Sequence, residues 1–281
     1  MNSSHQARNT IITYLAITFA GSAIFWYFMI RAGNTHPGGV DLTFALMWVP
    51  GLAGLLTTFL FNHNLKGMGW RPGKARYLLF AYALPIAYGL LVYGSAWLTG
   101  LIGFQPSLPF KVPLPGYIVV AATVIFLFLA LPAALGEEIG WRGLLVPQLA
   151  RLTSFPKVAL ISGLIWLLWH IPLILFADYN SGAPVWYALT CFSVMIMGMS
   201  FVIAWVRLKS GSLWPAAVLH ASHNLFIQSI FDRLVLRSSV SLYITTEFGI
   251  GLALVLLALG IFFWQWARKN PGELSYERSA S

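Results

Sequence analysis

Charge is what this sequence has least of. Only 9% of its 281 residues are Asp, Glu, Lys or Arg, where ordinary soluble domains carry about 25%. With 58% hydrophobic residues and a mean hydropathy of +0.76, too little polar surface remains to face water. A soluble globular fold is excluded, and lipid is the solvent for most of the chain. Cysteine is almost absent: the lone Cys191 excludes an internal disulfide, and no Cys/His metal spacing uses it. In its apolar segment it reads as a small buried hydrophobe. His-Glu-x-x-His is missing too, which excludes a standard zinc-protease motif. Internal repeats and long low-complexity linkers are also lacking. The net charge of +9 does not indicate a nucleic-acid partner, because Lys and Arg sit in short loops between apolar runs. There they act as topology signals and as anchors to anionic lipid heads.

What is present is a series of apolar stretches long enough to cross a bilayer. Eight are expected, at roughly 11–30, 42–61, 78–98, 116–135, 158–176, 185–206, 212–230 and 247–266. They form one all-α integral membrane helical domain over 1–269, with a polar C-terminal tail over 270–281. The first stretch ends in Phe25, Trp26, Tyr27 and Phe28 rather than a small-residue cleavage site, so it reads as a retained signal anchor. The seventh is the weakest, holding Pro215 and several polar residues. With the N-terminus inside, 13 of the 17 basic residues fall on the cytoplasmic side and 4 outside. That bias places both termini in the cytoplasm, as an even span count requires. Trp and Tyr near several span ends read as interfacial belts.

Ionisable residues at mid-span cost about 2.5–3.5 kcal/mol on insertion scales, and those that persist usually face the bundle interior and pair. Three places qualify. At the end of span four, Glu138 and Arg142 are four apart and stack as an ion pair, while Glu137 points about 100° away and stays free. In span five, Trp166 and His170 share a face. In span seven, His220 and Asn224 share a face, and His223 turns to another side. Asp41, Asp178, Asp232 and Glu247 read as solvated loop-edge residues. Two of the three places set a depth: His170 about 18 Å into span five and His220 roughly 12–14 Å into span seven. Glu137 reaches that level only if span four starts deeper, bends or tilts.

A free carboxylate beside a histidine, with another His and an amide opposite, suits water activation. Glu137 would be the general base and His170 would orient the water. His220 and Asn224 would donate to the oxyanion of a tetrahedral intermediate, with Glu138 and Arg142 fixing the helix end. The same groups, Glu137, His170 and His220, also make a two-His, one-carboxylate set that suits a divalent metal such as zinc. Composition does not choose between a metal-bound and a metal-free water.

At these residues the chain resembles the CPBP family of intramembrane proteases, which includes type II CAAX prenyl endopeptidases, Abi bacteriocin-immunity proteins and lysostaphin-resistance-like proteins. Glu137, Glu138 and Arg142 match its Glu-Glu-x-x-x-Arg motif. Trp166 and His170 match Phe-x-x-x-His with Trp for Phe, and His220 and Asn224 match His-x-x-x-Asn or Asp. The resemblance implies an eight-helix endopeptidase with its protease core at about 116–230, opening to the cytoplasm, with Glu137 as the catalytic glutamate. It implies a metalloprotease or a metal-independent glutamate protease. The substrates it implies are membrane-associated proteins or peptides, CAAX-type prenylated proteins among them. Short loops and compact size point to a prokaryotic plasma membrane. Two other readings use the same residues: a proton-coupled transporter, which would need paired interrupted helices that the sequence lacks, and a non-catalytic immunity or scaffold protein.

Overall fold

In a computed structural model, which describes residues 3–105, 114–270 and 272–274, the chain is an integral, multi-pass membrane bundle of helices. Among the described residues, seven helices are long and apolar enough to cross a membrane: α1 (Ser4–Ala32), α2 (Thr43–Asn62), α3 (Ala75–Leu98), α4 (Pro115–Ala150), α5 (Phe155–Phe176), α6 (Val185–Ser210) and, last of them, α9 (Ile250–Lys269). The polar seventh segment is helical as well. This rod, α7, runs Trp214–His223 and continues as Asn224–Phe231. A short helix, α8 (Ser239–Ile244), starts from a Ser238 capping box. Of the tail, residue 271 and residues 275–281 lie outside the described residues, while Glu273 pairs with Lys209.

Successive rods alternate in direction, which gives the bundle two faces. One carries the start of α1 and the connections 63–74, 151–154 and 211–213; it is called the near face below. The far face carries the connections 33–42, 99–105, 177–184 and 232–249. The expected end of span four at residue 135 is corrected here. Helix α4 continues to Ala150, so Glu137 and Glu138 lie inside a helix and not beside a loop. The charges there are paired within the bundle, and the helix need not end to solvate them. This length supplies the depth that Glu137 was required to have.

Small residues let α2 and α4 approach closely, as membrane helices do when packing must replace the hydrophobic effect. A Cβ on Gly51 would lie 2.3 Å from the Gly136 carbonyl oxygen. A Cβ on Gly140 would lie 2.3 Å from the Pro50 carbonyl oxygen and 2.5 Å from Tyr14 Oη. Gly140→Val must therefore displace backbone and not merely a flexible side chain. The expected outcome is separation of α2 from α4 directly beside Glu137, read as a lower thermal midpoint in detergent together with lost activity. An unchanged midpoint would contradict this packing.

Two of these rods widen where the unusual residues sit. Ile139–Leu145 in α4 and Asn224–Phe231 in α7 are π-helical, a geometry often found at functional sites. At the far face, Gly103–Phe104 (β1) pairs antiparallel with Val235–Leu236 (β2). Beside this ribbon Tyr93 stacks on Phe231 at 5.2 Å and donates to Asp232 at 2.5 Å. Asp232 was read as solvated; instead burial pushes its carboxyl up to about 7, with the Tyr93 hydroxyl opposing. A carboxyl raised in the folded state contributes stability at low pH and loses it as pH rises through that value. The thermal midpoint is therefore expected to fall from about pH 4 to about pH 7 and to level off above that, and Asp232→Asn to flatten that slope. An equal slope in both proteins would remove Asp232 as its source.

Candidate active site

The three sequence-selected places meet around one cavity of about 120 Å³, large enough for several waters. Glu137, Trp166, His170, His220 and Asn224 all line it. Glu138 and Arg142 stand behind the lining, both fully buried. Helix α4 brings the glutamates, α5 brings Trp166 and His170, and α7 brings His220 and Asn224.

Glu137 is held by two indoles. Trp166 Nε1 donates to its Oε2 at 2.7 Å, and Trp141 Nε1 donates to the same oxygen at 3.1 Å. Among the described residues, nothing donates to Oε1. One carboxylate oxygen is thus fixed and the other is left to the cavity. Sequence reasoning missed Trp141 altogether and valued Trp166 only as an aromatic. A phenylalanine at 166 could not donate this bond, so the departure from the family motif adds a contact to the carboxylate.

Glu138 serves a second purpose besides its ion pair. Its Oε1 accepts from Arg142 Nη1 at 2.8 Å and lies 2.9 Å from His220 Nδ1. A carboxylate can only accept, so His220 carries its proton on Nδ1 and turns Nε2 toward the cavity. His170 is fixed in the same way. Its Nδ1 lies 2.9 Å from the Trp166 carbonyl oxygen, which makes Nδ1 the donor and leaves Nε2 with a free lone pair. The Arg142 guanidinium lies 4.2 Å over the Trp166 ring, and Arg207 Nε donates to the Arg142 carbonyl at 2.7 Å. One layer of paired charges thereby locks α4, α5, α6 and α7 together.

A second acid–imidazole pair borders the same cavity. His223 Nε2 lies 2.9 Å from Glu247 Oε1, and His223 Nδ1 lies 2.5 Å from Tyr88 Oη. Tyr179 donates to the other Glu247 oxygen at 3.1 Å. The reading of Glu247 as a solvated loop-edge residue is therefore overturned: it is 7% exposed, because the connection after α8 folds inward over the bundle. Its burial was not legible in local sequence. The only hint was His223, an imidazole without a partner on its own helix face.

The donors that a divalent ion would use are chemically suitable. Glu137 Oε1, His170 Nε2 and His220 Nε2 are unclaimed, and each imidazole is oriented through Nδ1 as metal-ligating histidines are. Yet among the described residues no three His, Cys, Asp or Glu side chains are gathered closely enough to hold an ion. No step below passes through a metal.

Residues 119–226 match the family model described as "Type II CAAX prenyl endopeptidase Rce1-like". The chain is also similar to "CAAX prenyl protease 2" of Methanococcus maripaludis, with 37% identity over 106 residues, 35% of this chain. It spans about 38% of that relative's length. The family-model match covers the stretch that brings Glu137, His170 and His220 together.

Proposed function

We propose, from the premise that this chain belongs to the Rce1-like family of type II CAAX prenyl endopeptidases, that it is an intramembrane endopeptidase whose water is activated by Glu137 and His170. The observation that carries the reading is the asymmetric holding of Glu137: Oε2 is fixed by two indole donors and Oε1 faces a cavity shared with two oriented imidazoles. A base must be held within hydrogen-bond reach of the proton it takes, and this carboxylate has no freedom to turn away.

Glu137 Oε1 accepts a proton from water while His170 Nε2 accepts the water's second hydrogen bond. The oxygen attacks the scissile carbonyl carbon and forms a tetrahedral oxyanion. The amide of Asn224 donates to it, and so does Nε2–H of His220 when that ring carries both protons and Glu138 balances its charge. Collapse breaks the C–N bond, and the proton on Glu137 passes to the departing amine. Water and peptide are consumed; carboxylate and amine are released.

Membrane-associated polypeptides are the proposed substrates, CAAX-type prenylated chains among them, since the name of the relative points that way. The reading is tested by cleavage of membrane-anchored reporter proteins in proteoliposomes. Glu137→Ala, His170→Ala and His220→Ala should each abolish cleavage. Cleavage that persists in all three would end the proposal. Metal dependence is a separate question, decided by elemental analysis of the purified protein and by activity before and after chelation.

A transporter would need the cavity to communicate with both faces. The buried layer of Trp141, Arg142 and Arg207 lies between the cavity and the near face, which favours hydrolysis over transport.

A further inference from the structure

Glu247 is a second carboxylate on the wall of the catalytic cavity, and it is held differently from Glu137. His223 Nε2 donates to its Oε1 at 2.9 Å, and the Tyr179 hydroxyl donates to its Oε2 at 3.1 Å. Gln228 adds a side-chain hydrogen bond to the same carboxylate. Glu137 keeps one oxygen for the cavity, whereas neither oxygen of Glu247 is left without a donor. That pattern suits an anchor rather than a base, which needs an oxygen within reach of the proton it takes.

What Glu247 grips is the turn of α7 that carries Asn224. The rod changes from α-helical to π-helical at this residue, and such widened turns collect at functional sites. His223 stands directly before Asn224, and Gln228 follows about one turn later. Glu247 therefore holds α7 on both sides of the amide. The hold continues across the bundle, because His223 Nδ1 lies 2.5 Å from Tyr88 Oη on α3. On the other side Tyr179 lies against His170, their rings 6.2 Å apart and inclined by 25°.

The chain is strained to bring Glu247 inward. Thr246, immediately before it, has φ +65°, a left-handed conformation that β-branched residues rarely adopt. Backbone of this kind persists only where its surroundings over-determine it, and it clusters at active sites. Here Thr246 N donates to Tyr93 Oη at 2.9 Å, and Phe248 stacks on Phe192 at 5.4 Å. Both neighbours of Glu247 are thus pinned. Glu247 and Gln228 lie beyond residues 119–226, the stretch that matches the family model, and Glu247, His223 and Tyr179 belong to none of the three sequence motifs.

We propose that Glu247 is a positioning residue, which clasps α7 through His223 and Gln228 so that the Asn224 amide is aimed at the oxyanion. Its part in catalysis rests on the hydrolytic reading above; the clasp itself is measurable without any cleavage.

Cleavage of a membrane-anchored reporter in proteoliposomes reads the catalytic part. Glu247→Ala should lower kcat by about 10–10²-fold, short of the roughly 10²–10³-fold expected for deleting an oxyanion donor outright, with KM nearly unchanged. Glu247→Gln should recover most of that loss. Its amide oxygen still accepts from Tyr179, and its N–H can donate to His223 Nε2 once that ring carries its proton on Nδ1. A glutamine variant as slow as the alanine one would overturn the anchor role. In an Asn224→Ala background, adding Glu247→Ala should cost less than about twofold more. Losses that multiply in full would overturn the route through Asn224. Hydrogen–deuterium exchange on the purified full chain reads the clasp. Backbone amides of 224–231 should exchange faster in Glu247→Ala than in the parent, while those of α1 keep their rates. Unchanged exchange at 224–231, or equal acceleration in α1, would overturn the clasp. Faster exchange confined to 224–231, with no reporter cut even by the parent, would retire the peptidase reading and leave the clasp standing.

Discussion

Glu137→Gln is expected to lower the rate of peptide hydrolysis by about 10²–10⁴-fold, the usual contribution of a positioned general base, with little change in thermal midpoint. The amide keeps the length of the side chain, and its single carbonyl oxygen can still accept from both Trp141 and Trp166. Only the oxygen that faces the cavity is replaced, by a group that cannot take a proton. Trp166→Phe is the graded companion. It keeps the ring beneath the Arg142 guanidinium and removes one donor 2.7 Å from Oε2. The carboxylate then gains freedom to rotate, so a smaller loss in turnover is expected. Single-turnover cleavage in proteoliposomes measures both. A Glu137→Gln protein that cuts within a few-fold of the parent would show that another group activates the water.

Much of this site was legible because membranes tolerate so few polar residues. Glu137, Glu138, Arg142, His170, His220 and Asn224 are conspicuous in apolar runs, and helical spacing alone gave the Glu138–Arg142 pair that forms at 2.8 Å. The helix boundary was not legible in the same way. Paired charges at 137, 138 and 142 look like the end of a span when each is counted as a cost; only the partner His220, 82 residues later, removes that cost. Glu247 was missed for the same reason. Its partners His223 and Tyr179 come from two separate segments, and no local window holds more than one of them. Trp141 was invisible because an indole donor and an indole anchor have the same letter. Local periodicity finds which face a residue occupies, whereas the partner that makes a buried charge tolerable is supplied by another helix.

The largest loss of stability is expected from separating Glu138 and Arg142. Both side chains are fully buried, and leaving either charge uncompensated costs about 3–5 kcal/mol. Arg142→Met should therefore lower the thermal midpoint in detergent by roughly 10 °C. Its loss also removes the stacking on Trp166. Glu138→Gln strands the guanidinium instead, and Arg142 Nε and Nη2 already lack hydrogen-bond partners among the described residues. The double variant Glu138→Gln/Arg142→Met should recover most of the midpoint, since no buried charge then lacks its partner. Activity should not return with it. His220 is oriented by the same Glu138 oxygen that binds Arg142, and a glutamine there can no longer balance an imidazolium at the oxyanion. Recovery of stability without recovery of turnover separates the two roles of Glu138, helix lock and histidine anchor. If activity returned together with stability, the Glu138–His220 contact would have no part in the chemistry.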